Sequence, residues 1–117
     1  MPTSTITIAV DLDDKKVPEQ ISWQATDSTA NTAQKAQAMM LAFWDGSEKT
    51  ALRIDLWTKS MMVDDMADFL YQTISTMADS YHRATGHTEL SGEMKSFAKD
   101  FYRKFREIQA KENKLST

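Results

Sequence analysis

The chain has no cysteine, and only three glycines and two prolines among its 117 residues. Without thiols it can hold neither a disulfide framework nor a thiolate metal site. That absence suits a reducing compartment. Gly46, Gly86 and Gly92 are isolated from one another, so there is no glycine-rich loop to cradle a phosphate. No apolar run approaches the length of a membrane span, and direct membrane insertion is not expected. The opening "MPTSTITIAVDLDD" has neither a basic segment nor a long apolar one, which argues against a secretory signal. Basic residues are also in the minority, 14 Lys and Arg against 17 Asp and Glu, for a net charge of −3. That is the wrong balance for a dedicated nucleic-acid binder. The expectation is a soluble cytoplasmic protein.

What is present fits a globular body. Hydrophobic residues make up 41% and charged residues 26%, ordinary proportions for a folded chain. The length suits a single domain over 1–117, with the "KENKLST" end from about residue 113 expected to fray.

Two period-two stretches open the sequence. Ile6, Ile8, Val10 and Leu12 alternate with polar or small residues, and so do Ile21, Trp23 and Ala25. Each alternation predicts a strand with one buried face. The charged "DDKKVPEQ" between them is a hairpin tip. In "DSTANTAQKAQAMMLAFWDG", Ala33, Ala36, Met40, Phe43 and Trp44 fall at helical spacing, with Ser28 or Thr29 as cap and Gly46 as stop. That segment is predicted to be a helix. "TALRIDLW" returns to period two, with Leu52, Ile54 and Leu56 on one side and Arg53, Asp55 and Trp57 on the other. Two helices follow, one over about 63–84 and one over about 91–113, each with an apolar stripe. The resulting fold class is α+β in the order β-β-α-β-α-α. It implies a three-stranded, mainly antiparallel sheet of order 2-1-3 with helices on one face.

Chemistry-bearing clusters are sparse. Asp79 and His82 lie one helical turn apart, but two histidines and no cysteine fall short of a transition-metal ligand set. No metal or other cofactor is expected. Asp64 and Asp65 occupy the first turn of a helix, where they complement its dipole, and with Asp68 they are read as solvated rather than catalytic. Serine nucleophiles have no elbow motif. The basic residues of the last helix pair with acids at i,i+4 in Asp100–Lys104, Arg103–Glu107 and Glu107–Lys111, as on a solvated face. Trp57 stands apart, a large aromatic beside Arg53 and Asp55 on a face that otherwise reads as polar. It is either an interface anchor or a ring tucked against its own corner. Trp23, Trp44, Tyr71 and Tyr81 could instead line an apolar pocket with Asp79 or His82 at its rim, which would make the chain a small-molecule binder or a small enzyme.

The stretches "KVPEQISWQA", "AQAMMLAFWD", "LRIDLWTKSMMVDDM", "TMADSYHRATG" and "EMKSFAKDF" together resemble the gliding-motility protein C (GldC) family. The resemblance covers nearly the whole chain. Met62 departs from it, standing where the family's "MPVDEM"-like turn has proline. The resemblance implies a cytoplasmic accessory protein of a gliding apparatus linked to type IX secretion, with no enzymatic activity to carry across. The expected function is therefore that of a non-enzymatic adaptor. Its partners would be other proteins of the motility machinery, with Arg53, Asp55, Trp57, Asp64 and Asp65 as the contact candidates. A homodimer joined through outer sheet faces or edge strands is a further expectation.

Overall fold

The computed structural model describes residues 2–115 and divides into two compact units, Met1–Met61 and Met62–Thr117. All strands lie in the first unit and both long helices in the second.

In the first unit, β1 (Ile6–Leu12) and β2 (Pro18–Ala25) form the expected hairpin, and β3 (Gln34–Ala36) adds to the far side of β2. The sheet order is thus β1-β2-β3. Cross-strand register places Val10 opposite Ile21 and Ile21 opposite Ala36. Ile21, on the central strand, is 1% exposed and is the largest fully buried apolar side chain. Thr7, Asp11, Ser22 and Gln24 alternate onto the opposite, polar face.

A second sheet pairs β4 (Ala38–Asp45) with β5 (Thr50–Trp57). This corrects two expectations. The segment predicted as a helix forms β3 and β4, and β5 pairs with β4 instead of β1. The physical reason is that both faces of 38–44 are apolar, so period two has no polar residues to reveal it. Alanine and methionine meanwhile supply helix propensity, and tertiary pairing overrides that propensity. Once 38–45 is extended, a four-residue turn joins it to β5, and local antiparallel pairing needs no crossover.

Both hairpin tips use the same device. Asp13 Oδ1 accepts from the amides of Lys15 and Val17 at 2.8 and 2.9 Å, and Lys16 adopts φ +63. Asp45 Oδ1 accepts from Ser47 and Glu48 at 2.9 and 3.2 Å, and Lys49 adopts φ +56. The carboxylate satisfies amides that the turn leaves unpaired. At the junction of the two sheets the Thr58 amide donates to the Gln37 carbonyl at 2.7 Å, and the Lys59 amide to that of Pro18 at 3.2 Å. The Thr58 side chain is buried there, its hydroxyl 3.1 Å from that of Ser60.

Lys59 also ties this junction to the first hairpin tip, with Nζ 2.9 Å from Asp13 Oδ2 and 3.1 Å from Glu19 Oε1. The Lys59 hydrogen bond, followed by that from the Val17 amide, holds the Asp13 carboxyl below its ordinary value of 3.8. Hydrogen bonds to Asp13 and then Glu19 raise the Lys59 ammonium above 10.5. A depressed carboxyl pKa contributes stability above its unfolded value and loses it as pH falls through the folded one. Acid should therefore loosen the β1–β2 tip only below pH 3.8. In Asp13→Asn the Lys15 and Val17 amide resonances are expected to lose that acid-dependent shift, a change NMR titration reads directly. At the alkaline end the raised Lys59 pKa keeps its contribution below 10.5 and surrenders it as pH climbs through the folded value.

The second unit is a helical pair, α1 (Val63–Thr85) and α2 (Thr88–Leu115). Met62 is the N-cap residue with φ −86 and ψ 152 and makes no side-chain cap, while Asp64 and Asp65 fill the first turn. Gly86 ends α1 at φ +73, and its amide donates to the His82 carbonyl at 2.7 Å. Only glycine enters that left-handed conformation without steric cost. The second helix starts one turn earlier than the sequence pattern suggests, because the Ser91 amide already donates to the His87 carbonyl at 3.0 Å. The helix continues through Leu115, and Ser116 and Thr117 of the predicted frayed end lie outside the described residues. Three contacts define one antiparallel register: Lys95 with Asp79 at 2.7 Å, Ser91 Oγ with His82 Nδ1 at 3.5 Å, and the Tyr71 and Tyr102 rings at 5.2 Å. Ala67, Ala78, Ser91 and Ala98 are buried, so small side chains mark where the backbones approach. The apolar stripe of α2 is not all core, for Phe97 is 61% exposed.

Candidate functional site

Strand alternation and the β4–β5 register build one distinctive surface. Arg53, Asp55 and Trp57 share a face of β5, opposite Ala42, Met40 and Ala38 of β4 respectively. Trp44 joins the same face at the hairpin tip, opposite Ala51. Each indole thus faces an alanine across the ladder, which leaves it uncovered. Trp44 is 66% and Trp57 57% exposed. Six residues of strand separate their rows, roughly 20 Å.

Between them the Arg53 guanidinium grips Asp55 at two points, Nη2 to Oδ1 at 2.9 Å and Nε to Oδ2 at 3.3 Å. Both side chains are a little under half exposed, so this surface pair adds little to stability. It does fix two opposite charges in a planar arrangement between two aromatic anchors. Trp and Arg are the side chains that dominate interface energies when a partner desolvates them.

The polar face expected around Trp57 belongs to the other sheet: Thr7, Asp11, Ser22 and Gln24 are on β1 and β2, while Trp57 is on β5. Asp64 and Asp65 lie in the second unit, exposed in the first turn of α1. The Asp64 carboxylate accepts from the Asp65 amide at 3.1 Å, a local role consistent with helix initiation. The element that sequence reasoning missed is Trp44, hidden by the helical reading of its segment. The "DGSEK" turn, with the apolar "AMMLAFW" before it and the alternating "ALRIDLW" after it, was the signal that could have found it.

Of the residues considered for a pocket or a metal, those on the helices are otherwise engaged. Asp79 is held by Lys95, and that hydrogen bond is the first cause of its carboxyl lying below the ordinary 3.8. The hydroxyl of Tyr81 meets His87 Nδ1 at 2.8 Å, and Arg106 lies 5.9 Å from the Tyr102 ring centre. Among the described residues, no three of His, Asp and Glu come together as a metal-holding group. On the outer face of α2 the expected Arg103–Glu107 pair forms at 2.8 Å, and Asp100 also approaches Arg103, at 3.6 Å.

Among the described residues, no helix is long and apolar enough to cross a membrane. Neither the curated proteins nor the solved structures give a match to the chain. The family comparison does: the model of the gliding motility-associated protein GldC-like family matches residues 18–107, from the start of β2 through most of α2. The match leaves out β1 but takes in the other four strands, α1 and most of α2, and the chain belongs to the GldC-like family of gliding motility-associated proteins.

Proposed function

We propose that the chain is a non-enzymatic, cytoplasmic adaptor of the gliding apparatus, linked to type IX secretion and acting through protein–protein contacts. Family membership supports the motility context. The contact mode rests on one observation, the hairpin face on which two exposed tryptophans flank the Arg53–Asp55 pair. The titratable groups agree with it. The carboxylates with lowered pKa values, Asp13 and Asp79, are held by structural lysines rather than poised for proton transfer near neutral pH.

The test is capture of motility proteins by the full chain from a gliding bacterium. Truncating a tryptophan anchor commonly costs 2 kcal/mol or more, so Trp57→Ala should weaken capture by about 30-fold. Asp65→Lys, in the first turn of α1, reports separately on the acidic candidate. Undiminished capture by Trp57→Ala with an unchanged circular dichroism spectrum would remove the hairpin face from the proposal.

A further inference from the structure

Among the described residues β5 pairs only with β4, so one of its edges has no strand beside it. The ladder shows which backbone groups point there. The Thr58 amide donates to the Gln37 carbonyl at 2.7 Å, one step beyond the Ala38–Trp57 row and in the same register. Hydrogen-bonded and non-bonded rows alternate in an antiparallel pair. Met39–Leu56, Leu41–Ile54 and Phe43–Leu52 are therefore the bonded rows. The amides and carbonyls of Ala51, Arg53, Asp55 and Trp57 are directed away from β4, toward the open edge.

Folded chains blunt open edges with short strands, bulges, proline or lysine, because an open edge is a template for another strand. Here β1 has a bulge between Asp11 and Leu12, β3 is three residues long, and the first half of β4 is half-buried. In contrast, β5 runs eight residues without proline or lysine, and only Leu56 is not exposed. Its register with β4 is unbroken.

We propose that the open edge of β5 pairs with the same edge of a second copy, antiparallel about a two-fold axis at Ile54, in a weak and reversible dimer. Hydrogen-bond parity and charge select both this occupant and this register. Ala51, Arg53, Asp55 and Trp57 carry the outward groups, so they must pair with one another across the seam. With the axis at Ile54, Arg53 of each copy faces Asp55 of the other, and each Trp57 faces the small Ala51. Every charge then has an opposite charge on its own strand, at 2.9 Å, and another across the seam. On the other face Ile54 meets Ile54 and Leu52 meets Leu56. Sliding to the next register that parity allows sets Arg53 against Arg53 in one direction and Asp55 against Asp55 in the other. Like charges directly opposite destabilise a ladder. An unrelated strand could satisfy the outward amides, but the reciprocal charge order is a property of β5 paired with itself.

Joining single strands edge to edge buries little surface and belongs with transient interfaces, those below about 1,200 Å². The dimer should therefore form at high micromolar concentration and dissociate on dilution. It covers neither face of the hairpin and places the tryptophans of both copies on one side of the joined sheet. It stands whether or not those tryptophans bind a partner.

Light scattering of the full chain over a concentration series tests this. The mass should rise from 13.3 kDa toward twice that value as the chain approaches several hundred micromolar. Asp55→Arg and Arg53→Asp each set like charges across the seam, so either variant alone should stay at 13.3 kDa with its circular dichroism unchanged. Mixing the two variants restores opposite charges at every position, and the mass should rise again. Because the chain has no cysteine, Ile54→Cys gives a second readout that leaves the charges in place. On the axis its two Cα atoms lie about 4.5 Å apart, the spacing of a non-bonded row and within disulfide reach. A mild oxidant should link this variant, while Leu52→Cys, whose two copies are about 14 Å apart, stays unlinked. A chain that remains at 13.3 kDa at several hundred micromolar overturns the proposal. So does a dimer that both charge variants still form alone, a mixture of the folded variants that stays monomeric, or equal linking through Leu52→Cys and Ile54→Cys.

Discussion

Ile21→Ala is expected to destabilise the β1-β2-β3 sheet by about 2–5 kcal/mol, the range for truncating a large aliphatic side chain in a packed site. Ile21 sits on the central strand between Val10 and Ala36 and is 1% exposed. Its neighbours belong to paired strands whose spacing is set by hydrogen bonds, so they cannot close over the lost methylenes. Chemical denaturation followed by tryptophan fluorescence should show the midpoint fall, with Trp23 two residues away as a reporter. Ile6 supplies the control. It alternates onto the same face of the sheet but is 71% exposed, so Ile6→Ala should shift stability by no more than about 0.5 kcal/mol. Equal losses at the two positions would mean that something covers the edge of this sheet in solution.

The contrast between Ile6 and Ile21 also shows how far a sequence can be read. Alternation identified which residues of β1, β2 and β5 share a face, because each of those strands has polar or small residues between its apolar ones. It therefore placed Arg53, Asp55 and Trp57 together correctly. Alternation says nothing of which apolar residue on a face is central, since that depends on which strand gains two neighbours. It failed at β4, where Met40, Ala42 and Trp44 are as apolar as Met39, Leu41 and Phe43. With no polar partner to mark the period, helical and extended readings fit equally well, and the sheet order followed the wrong one. The helices were legible because polar residues interrupt their stripes at regular intervals. Their stripes nevertheless overstated the core. The helix pair is marked by buried alanines, while larger members of the same stripe, such as Phe97 and Ile108, remain exposed.

Those alanines carry the other large effect. Ala98 is fully buried on α2, as Ala78 is on α1, and the register fixed by Asp79–Lys95 and Tyr71–Tyr102 places both in the region where the helices meet. Ala98→Asp puts a carboxylate where close backbone approach leaves no room for water. The one cation that bridges the helices, Lys95 among the ion pairs of the described residues, is already engaged by Asp79. An unpaired buried charge costs about 3–5 kcal/mol, enough to separate the helices or to force protonation of the new group. The two outcomes share a signature. Burial raises the introduced carboxyl's pKa, so helix content lost at neutral pH should recover as pH falls toward that raised value. Phe97→Asp places the same charge one residue earlier, on a side chain that is 61% exposed, and should leave the helix signal nearly unchanged. If both substitutions melted the pair alike, the stabilising contact would lie on the phenylalanine side of α2, and small-residue packing would not be what holds the helices together.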